Sequence, residues 1–164
     1  MSKIIIDFDN TLVNTTTAIC NVYNERFKGN KGFKTVAPHN NIDWDITKLC
    51  TLANYDDIDN IFRSKELFDN IKPYDNCVDI LNELSNRYDL YCCTIGSPQN
   101  IKLKIDYIQD NFKMFKDCLY LSKTSMKIMD KSIINMKNAI FIDDNYDNLK
   151  SSNADLKICF GNFK

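Results

Sequence analysis

Glycine and proline are scarce, at four and three of 164 residues, so the chain offers few flexible linkers, and no repeat or low-complexity tract divides it. Histidine occurs once, at His39, and there is no CxxC pair. A zinc knuckle therefore lacks its ligands. A Ser/His/Asp hydrolase finds neither a choice of histidines nor a nucleophile-elbow sequence. No apolar run approaches the roughly 18 residues of a membrane helix, and no membrane partner is expected. A basic surplus is missing too: 21 Lys and Arg stand against 22 Asp and Glu, a formal charge of −1. A non-specific nucleic-acid binder needs a marked positive excess, so no stable nucleic-acid partner is expected.

What is present suits a folded cytoplasmic protein. Hydrophobic residues make up 44% and charged residues 26%, which fits a globular domain rather than a disordered chain. The seven cysteines (Cys20, Cys50, Cys77, Cys92, Cys93, Cys118 and Cys159) are odd in number and read as free, mostly buried thiols of a reducing compartment. The short stretch Ile4-Ile5-Ile6 ends in Asp7 and does not have the form of a signal peptide.

Four continuous apolar runs have strand character: Ile4-Ile5-Ile6, Leu90-Tyr91-Cys92-Cys93, Ala139-Ile140-Phe141-Ile142, and Leu156 to Phe160, with a fifth candidate at Cys118 to Leu121. Continuous rather than alternating runs fit parallel strands buried on both faces. Helical periodicity lies between them, over Thr15 to Phe27 with a cap at Thr15, Thr16 or Thr17, over Cys77 to Tyr88 started by Asp75 or Asn76, and over Ile101 to Phe112 after Ser97-Pro98. The alternation predicts an α/β protein with a Rossmann-like parallel sheet and helices on both faces. One crossover does not need the whole stretch between the first two strands. Residues 14–73 are therefore expected to form a small inserted helical cap, with short helices near 46–53 and 56–66, while 1–13 and 74–164 form the core.

The acids fall at the ends of strands. Asp7 and Asp9 follow the first, Asp143 and Asp144 follow another. Ligand sites of open parallel sheets lie outside the carboxyl ends of the strands, so the two pairs can meet there. Converging carboxylates repel one another unless a cation joins them, and an all-oxygen donor set suits Mg²⁺. A carboxylate can act as a covalent nucleophile through an aspartyl-phosphate, and a second acid two residues on can protonate the leaving oxygen. A hydroxyl at Thr94 and a lysine can hold and neutralise phosphate oxygens.

These residues resemble the haloacid dehalogenase-like hydrolase superfamily over almost the whole chain. Asp7-Phe8-Asp9-Asn10-Thr11-Leu12-Val13 resembles its first motif, Cys92-Cys93-Thr94 its second, and Ile140-Phe141-Ile142-Asp143-Asp144 its fourth. The resemblance implies Asp7 as nucleophile and Asp9 as acid/base. It also implies Mg²⁺ held by Asp7, the Asp9 carbonyl and Asp144, with Asp143 behind them and Asp147 either a further outer acid or a helix cap. The insertion between the first and second motifs is similar to a C1 cap, a lid for small phosphorylated metabolites. The motif lysine is open among Lys104, Lys131 and Lys123. Lys104 is preferred, since its place after Ser97-Pro98 is similar to that in the 5′(3′)-deoxyribonucleotidase family, while Lys131 resembles a second lysine element there. Ile42-Asp43-Trp44-Asp45 and Thr94 to Pro98 also resemble segments of that family, which makes Trp44, Ser97 and Lys131 candidate substrate contacts. Asn10-Thr11 departs from the Gly-Val that many of its members carry.

The expected activity is a Mg²⁺-dependent phosphomonoesterase acting on a nucleoside monophosphate, in particular a deoxyribonucleotide. Another small metabolite or a polynucleotide end is the alternative within enzymes, and a non-catalytic phosphate-binding module the alternative outside them.

Overall fold

The computed structural model describes residues 2–41, 45–122 and 130–161. It divides into two compact units, Met1–Val13 with Pro73–Lys164, and Asn14–Lys72.

The first unit is built on five parallel strands: β1 (Lys3–Ile6), β2 (Asp89–Gly96), β3 (Asp117–Ser122), β4 (Ala139–Asp143) and β5 (Leu156–Cys159). Their order is β3-β2-β1-β4-β5. The chain runs outward one way from β1 through β2 to β3, then returns to the other side of β1 for β4 and β5. The topological switch point, where open α/β sheets bind ligands, therefore falls between β1 and β4. Ile4, Ile5 and Ile6 are all buried, as a central parallel strand requires. Strand β2 runs past the expected apolar run, so Thr94 lies within it rather than beyond it. Strand β5 departs from the expectation of burial: at the sheet edge, Leu156 and Ile158 are 51% and 41% exposed.

Among the described residues three α-helices belong to this unit. The helix α4 (Cys77–Ser85) starts from Asn76 in the left-handed region (φ 60°) and carries no side-chain cap. The helix α5 (Pro98–Asn111) is capped by Ser97, whose Oγ accepts from the Asn100 amide, with Pro98 pre-set for the first turn. The helix α6 (Tyr146–Ser151) buries Leu149 in one core cluster with Ile5, Cys93, Leu121 and Phe141. Lys104 of α5 bonds Thr94, whose side chain points away from the Cys93 face, so α5 and α6 cover opposite faces.

The second unit is helical. The helix α1 (Thr15–Phe27) buries Ala18, Ile19, Cys20, Val22 and Tyr23 and packs on α2 (Tyr55–Phe62) and α3 (Lys65–Asn70). Its cap position is Asn14, not one of the three threonines, and makes no capping bond. Instead the Asn14 side chain accepts from the Lys72 amide and ties together the two ends of the unit. The expected helix near 46–53 is only a 3₁₀ turn, Ile46–Lys48, because Asp45 caps it and Asn54 then starts α2 with a reciprocal capping box to Asp57. The expected helix near 56–66 is two helices, interrupted where Ser64 adopts an extended backbone and caps α3. Among the described residues no helix is long and apolar enough to cross a membrane.

Candidate active site

Asp7, 6% exposed, directly follows strand β1, and the chain then turns sharply. The Leu12 and Val13 amides both donate to the Phe8 carbonyl, and Asn10 takes a left-handed conformation (φ 54°), which asparagine tolerates better than most residues. Phe8, Leu12 and Val13 bury their side chains, while Asp9 keeps partial exposure. Thr11 reaches across to the neighbouring strand end: its Oγ1 accepts from the Asp144 amide at 3.1 Å. The Asp7 amide donates to the Ile142 carbonyl at 2.9 Å, so the ends of β1 and β4 are locked together.

Lys131 sits 1% exposed in a 3₁₀ turn (Lys131–Ile133) begun by the Asp130 cap. Its ammonium donates to Asp7 and, at 2.6 Å, to Asp143, and lies 5.5 Å over the Phe141 ring. Burial alone would lower its pKa, but the Asp7 and Asp143 carboxylates more than reverse this and hold it above the ordinary lysine value. Asp143 also accepts from the Asn145 amide and the Asn148 side chain, so both its oxygens are engaged. Asp144 differs. Its Oδ2 is buried and finds no hydrogen-bond partner among the described residues, and burial, followed by the charges of Asp7, Asp143 and Asp9, pushes its pKa up to about 8. Burial likewise raises Asp7 to about 7, against the pull of Lys131.

Asp7, Asp143 and Asp144 each offer an oxygen within 4.8 Å of the others. An orphaned buried carboxylate oxygen beside two more acids is an unstable arrangement without a cation. Four carboxylates (Asp7, Asp9, Asp143, Asp144) against two buried ammonium groups (Lys104, Lys131) leave a formal charge of −2. This donor set fits a hard divalent ion such as Mg²⁺.

Lys104, on α5 and also 1% exposed, donates to Asp9 Oδ2 at 2.5 Å, Thr94 Oγ1 at 2.8 Å and the Ile95 carbonyl at 3.0 Å. Gly96 permits this close approach of strand and helix: a Cβ there would lie 2.2 Å from Asn100 Oδ1. The structure thus brings Asp7, Asp9, Thr94, Lys104, Lys131, Asp143 and Asp144 together. Ser97 spends its hydroxyl on capping α5, and Asp147 is exposed in the first turn of α6, where Asn145 rather than Asp147 is the cap. Trp44 with Ile42 and Asp43, and Lys123, lie outside the described residues. The sequence reading missed Thr11, Asn145 and Asn148 as supports of the fourth-motif acids. The Asx-cap form of Asp144-Asn145 before a helix was the available signal for one of them.

A parallel α/β sheet with acid pairs ending β1 and β4 at its switch point defines the class: the protein has the haloacid dehalogenase-like hydrolase fold. Solved structures agree. The haloacid dehalogenase-like protein SP0104 of Streptococcus pneumoniae aligns with TM-score 0.59 and 17% identity over 93% of this chain and 80% of its own. A HAD-superfamily hydrolase of Ehrlichia chaffeensis aligns with TM-score 0.57 and 19% identity over 98% and 91%. The HAD-hydrolase YfnB of Bacillus subtilis, solved bound to magnesium, aligns with TM-score 0.51 and 14% identity over 86% and 77%. No curated protein matches the sequence. The family described as 5′ nucleotidase, deoxy (Pyrimidine), cytosolic type C protein matches residues 1–164, and the chain belongs to it. It is a phosphoric monoester hydrolase of the 5′-nucleotidase kind.

Proposed function

We propose that the protein is a Mg²⁺-dependent phosphatase that removes the phosphate of a deoxyribonucleoside monophosphate through an aspartyl-phosphate on Asp7. The observation that carries this reading is the buried Asp7 bonded by Lys131 and close to an Asp144 oxygen that has no partner among the described residues. The family's description supports the nucleotide, and its cytosolic type supports a cytoplasmic setting. The natural partner is then a small phosphorylated metabolite.

Asp7, the Asp9 carbonyl and Asp144 would hold Mg²⁺, with Asp143 held behind them by Asn145, Asn148 and Lys131. When bound, the ion supplies positive charge against the phosphoryl oxygens and the clustered acids. Asp7 Oδ attacks phosphorus, and the bond from phosphorus to the ester oxygen breaks. Asp9 passes its proton to the departing oxygen. Water then attacks the phosphoryl group and gives a proton to Asp9, which releases phosphate and restores Asp7. Among the described residues Lys131 has two carboxylate partners, which leaves a third N–H for a phosphoryl oxygen.

The test is phosphate release from p-nitrophenyl phosphate and from a panel of deoxyribonucleotides, ribonucleotides and sugar phosphates, with Mg²⁺ and with chelator. Chelation abolishes turnover, and Asp7→Asn lowers kcat by about 10³-fold or more. Full activity of Asp7→Asn would remove the nucleophile assignment. A sugar phosphate preferred over every nucleotide would remove the substrate assignment alone.

A further inference from the structure

An ammonium group has three N–H donors and no acceptor. Lys104 directs all three at the protein: Asp9 Oδ2, Thr94 Oγ1 and the Ile95 carbonyl. The rest of its surroundings are closed. The Nζ lies 5.4 Å over the Phe8 ring, Phe8 is fully buried, and Tyr107 meets Phe8 edge-on at 5.9 Å. A phosphoryl oxygen could be bound here only by breaking one of three good hydrogen bonds, which costs about what it gains. Lys131, by contrast, gives two donors to the described residues and keeps the third clear of them. The two buried lysines are therefore not equivalent, although both stand beside the phosphate chemistry.

We propose that Lys104 is a positioning residue for proton transfer rather than a phosphate ligand: it fixes which oxygen of Asp9 carries the proton and which way the Thr94 hydroxyl points. The inference rests on the phosphatase reading above. With Oδ2 accepting from an ammonium, the transferable proton belongs on Oδ1. With its lone pair engaged by the same ammonium, the Thr94 hydroxyl turns its proton outward, toward a phosphoryl oxygen. Lys104 comes from α5 and Asp9 from the β1 turn, so the contact also sets the distance between the second motif and the acid of the first.

Proton donation matters most when the leaving oxygen is a poor leaving group. The experiment compares kcat/KM for p-nitrophenyl phosphate, whose leaving group departs unaided, with that for two alkyl esters, a deoxyribonucleoside monophosphate and β-glycerol phosphate. It does so in wild type, Lys104→Met, Asp9→Asn and the double variant, with inhibition by inorganic phosphate measured alongside. Lys104→Met is expected to lose about 100-fold on the alkyl esters and about 5-fold on p-nitrophenyl phosphate, with phosphate inhibition changed by less than about 2-fold. On the Asp9→Asn background the lysine change adds less than about 3-fold on the alkyl esters, because it acts through the acid already removed.

Equal losses on all esters, together with phosphate inhibition weakened by about 10-fold or more, would overturn the proposal and make Lys104 a phosphate ligand. A full additional loss on the Asp9→Asn background would overturn it too. The double variant removes both members of the pair and guards against a single variant that fails to fold. β-Glycerol phosphate keeps the comparison valid if the nucleotide is not the substrate. Wild-type turnover of no ester would overturn the phosphatase reading, and this inference with it.

Discussion

The two units bury different things. Among the described residues of the helical unit, Asn14–Lys72, the buried positions are apolar apart from Thr15, and the pairs Arg26 with Glu66, Lys28 with Glu25 and Arg63 with Asp59 lie at the surface. In the sheet unit, Asp7, Lys104, Lys131, Asp143 and Asp144 are all buried. Burying ions costs several kcal/mol each before pairing offsets it, and apolar residues of similar volume usually do at least as well for stability. The sheet unit therefore carries a load that folding alone does not ask for. A charged cluster at the switch point of a parallel sheet is where chemistry, rather than packing, decides the residue types.

The largest stability effect follows from breaking that cluster on one side only. Lys131→Met leaves Asp7 and Asp143 without their shared counter-ion, and is expected to cost about 3 kcal/mol by chemical denaturation as well as to abolish turnover. Ile61→Ala, a fully buried position of the helical unit, is expected to cost a similar ~3 kcal/mol. The two losses differ in kind. The Lys131 penalty grows with pH as the stranded Asp7, raised to about 7 even beside its counter-ion, ionises, whereas the cavity left at Ile61 is indifferent to pH. Equal pH dependence in both variants would show that the contrast between the units is not one of charge.

A smaller effect concerns the intact protein in chelator. Asp7 and Asp144 have pKa values raised to about 7 and about 8 from an ordinary 3.8. Between those limits the folded chain binds more protons than the unfolded one, so stability falls as pH rises and the loss is complete above the higher value. Going from about pH 5.5 to about pH 8.5 is expected to lower Tm by roughly 5 °C without divalent ion. Millimolar Mg²⁺ favours the ionised carboxylates and restores more of Tm at the alkaline end. A Tm that is flat or rising in chelator would contradict the crowding of acids on which the metal reading depends.

What the sequence disclosed follows the same division. Ile-Ile-Ile-Asp and Ile-Phe-Ile-Asp-Asp are legible because a strand buried on both faces reads as a continuous apolar run, so an acid at its end stands out. Lys104 and Lys131 are not legible in this way. Lysine is common, and what marks these two is burial against acids 95 and 124 residues away in sequence, which only the fold supplies. The helix boundaries of the helical unit at Asp45, Asn54 and Ser64 are not legible either. There short polar side chains cap and restart helices that apolar periodicity alone would run together.

The smallest effect tests the other side of the comparison. The Arg26–Glu66 pair joins α1 to α3 at 2.6 Å, with side chains 32% and 61% exposed. Water and salt screen such a pair, and holding two long side chains in one geometry costs entropy, so Glu66→Gln is expected to change stability by no more than about 0.5 kcal/mol. Even that difference should shrink as salt is raised. A loss comparable to that of Lys131→Met would mean that the helical unit also depends on charge, and that what distinguishes the sheet unit is the burial of its ions rather than their pairing.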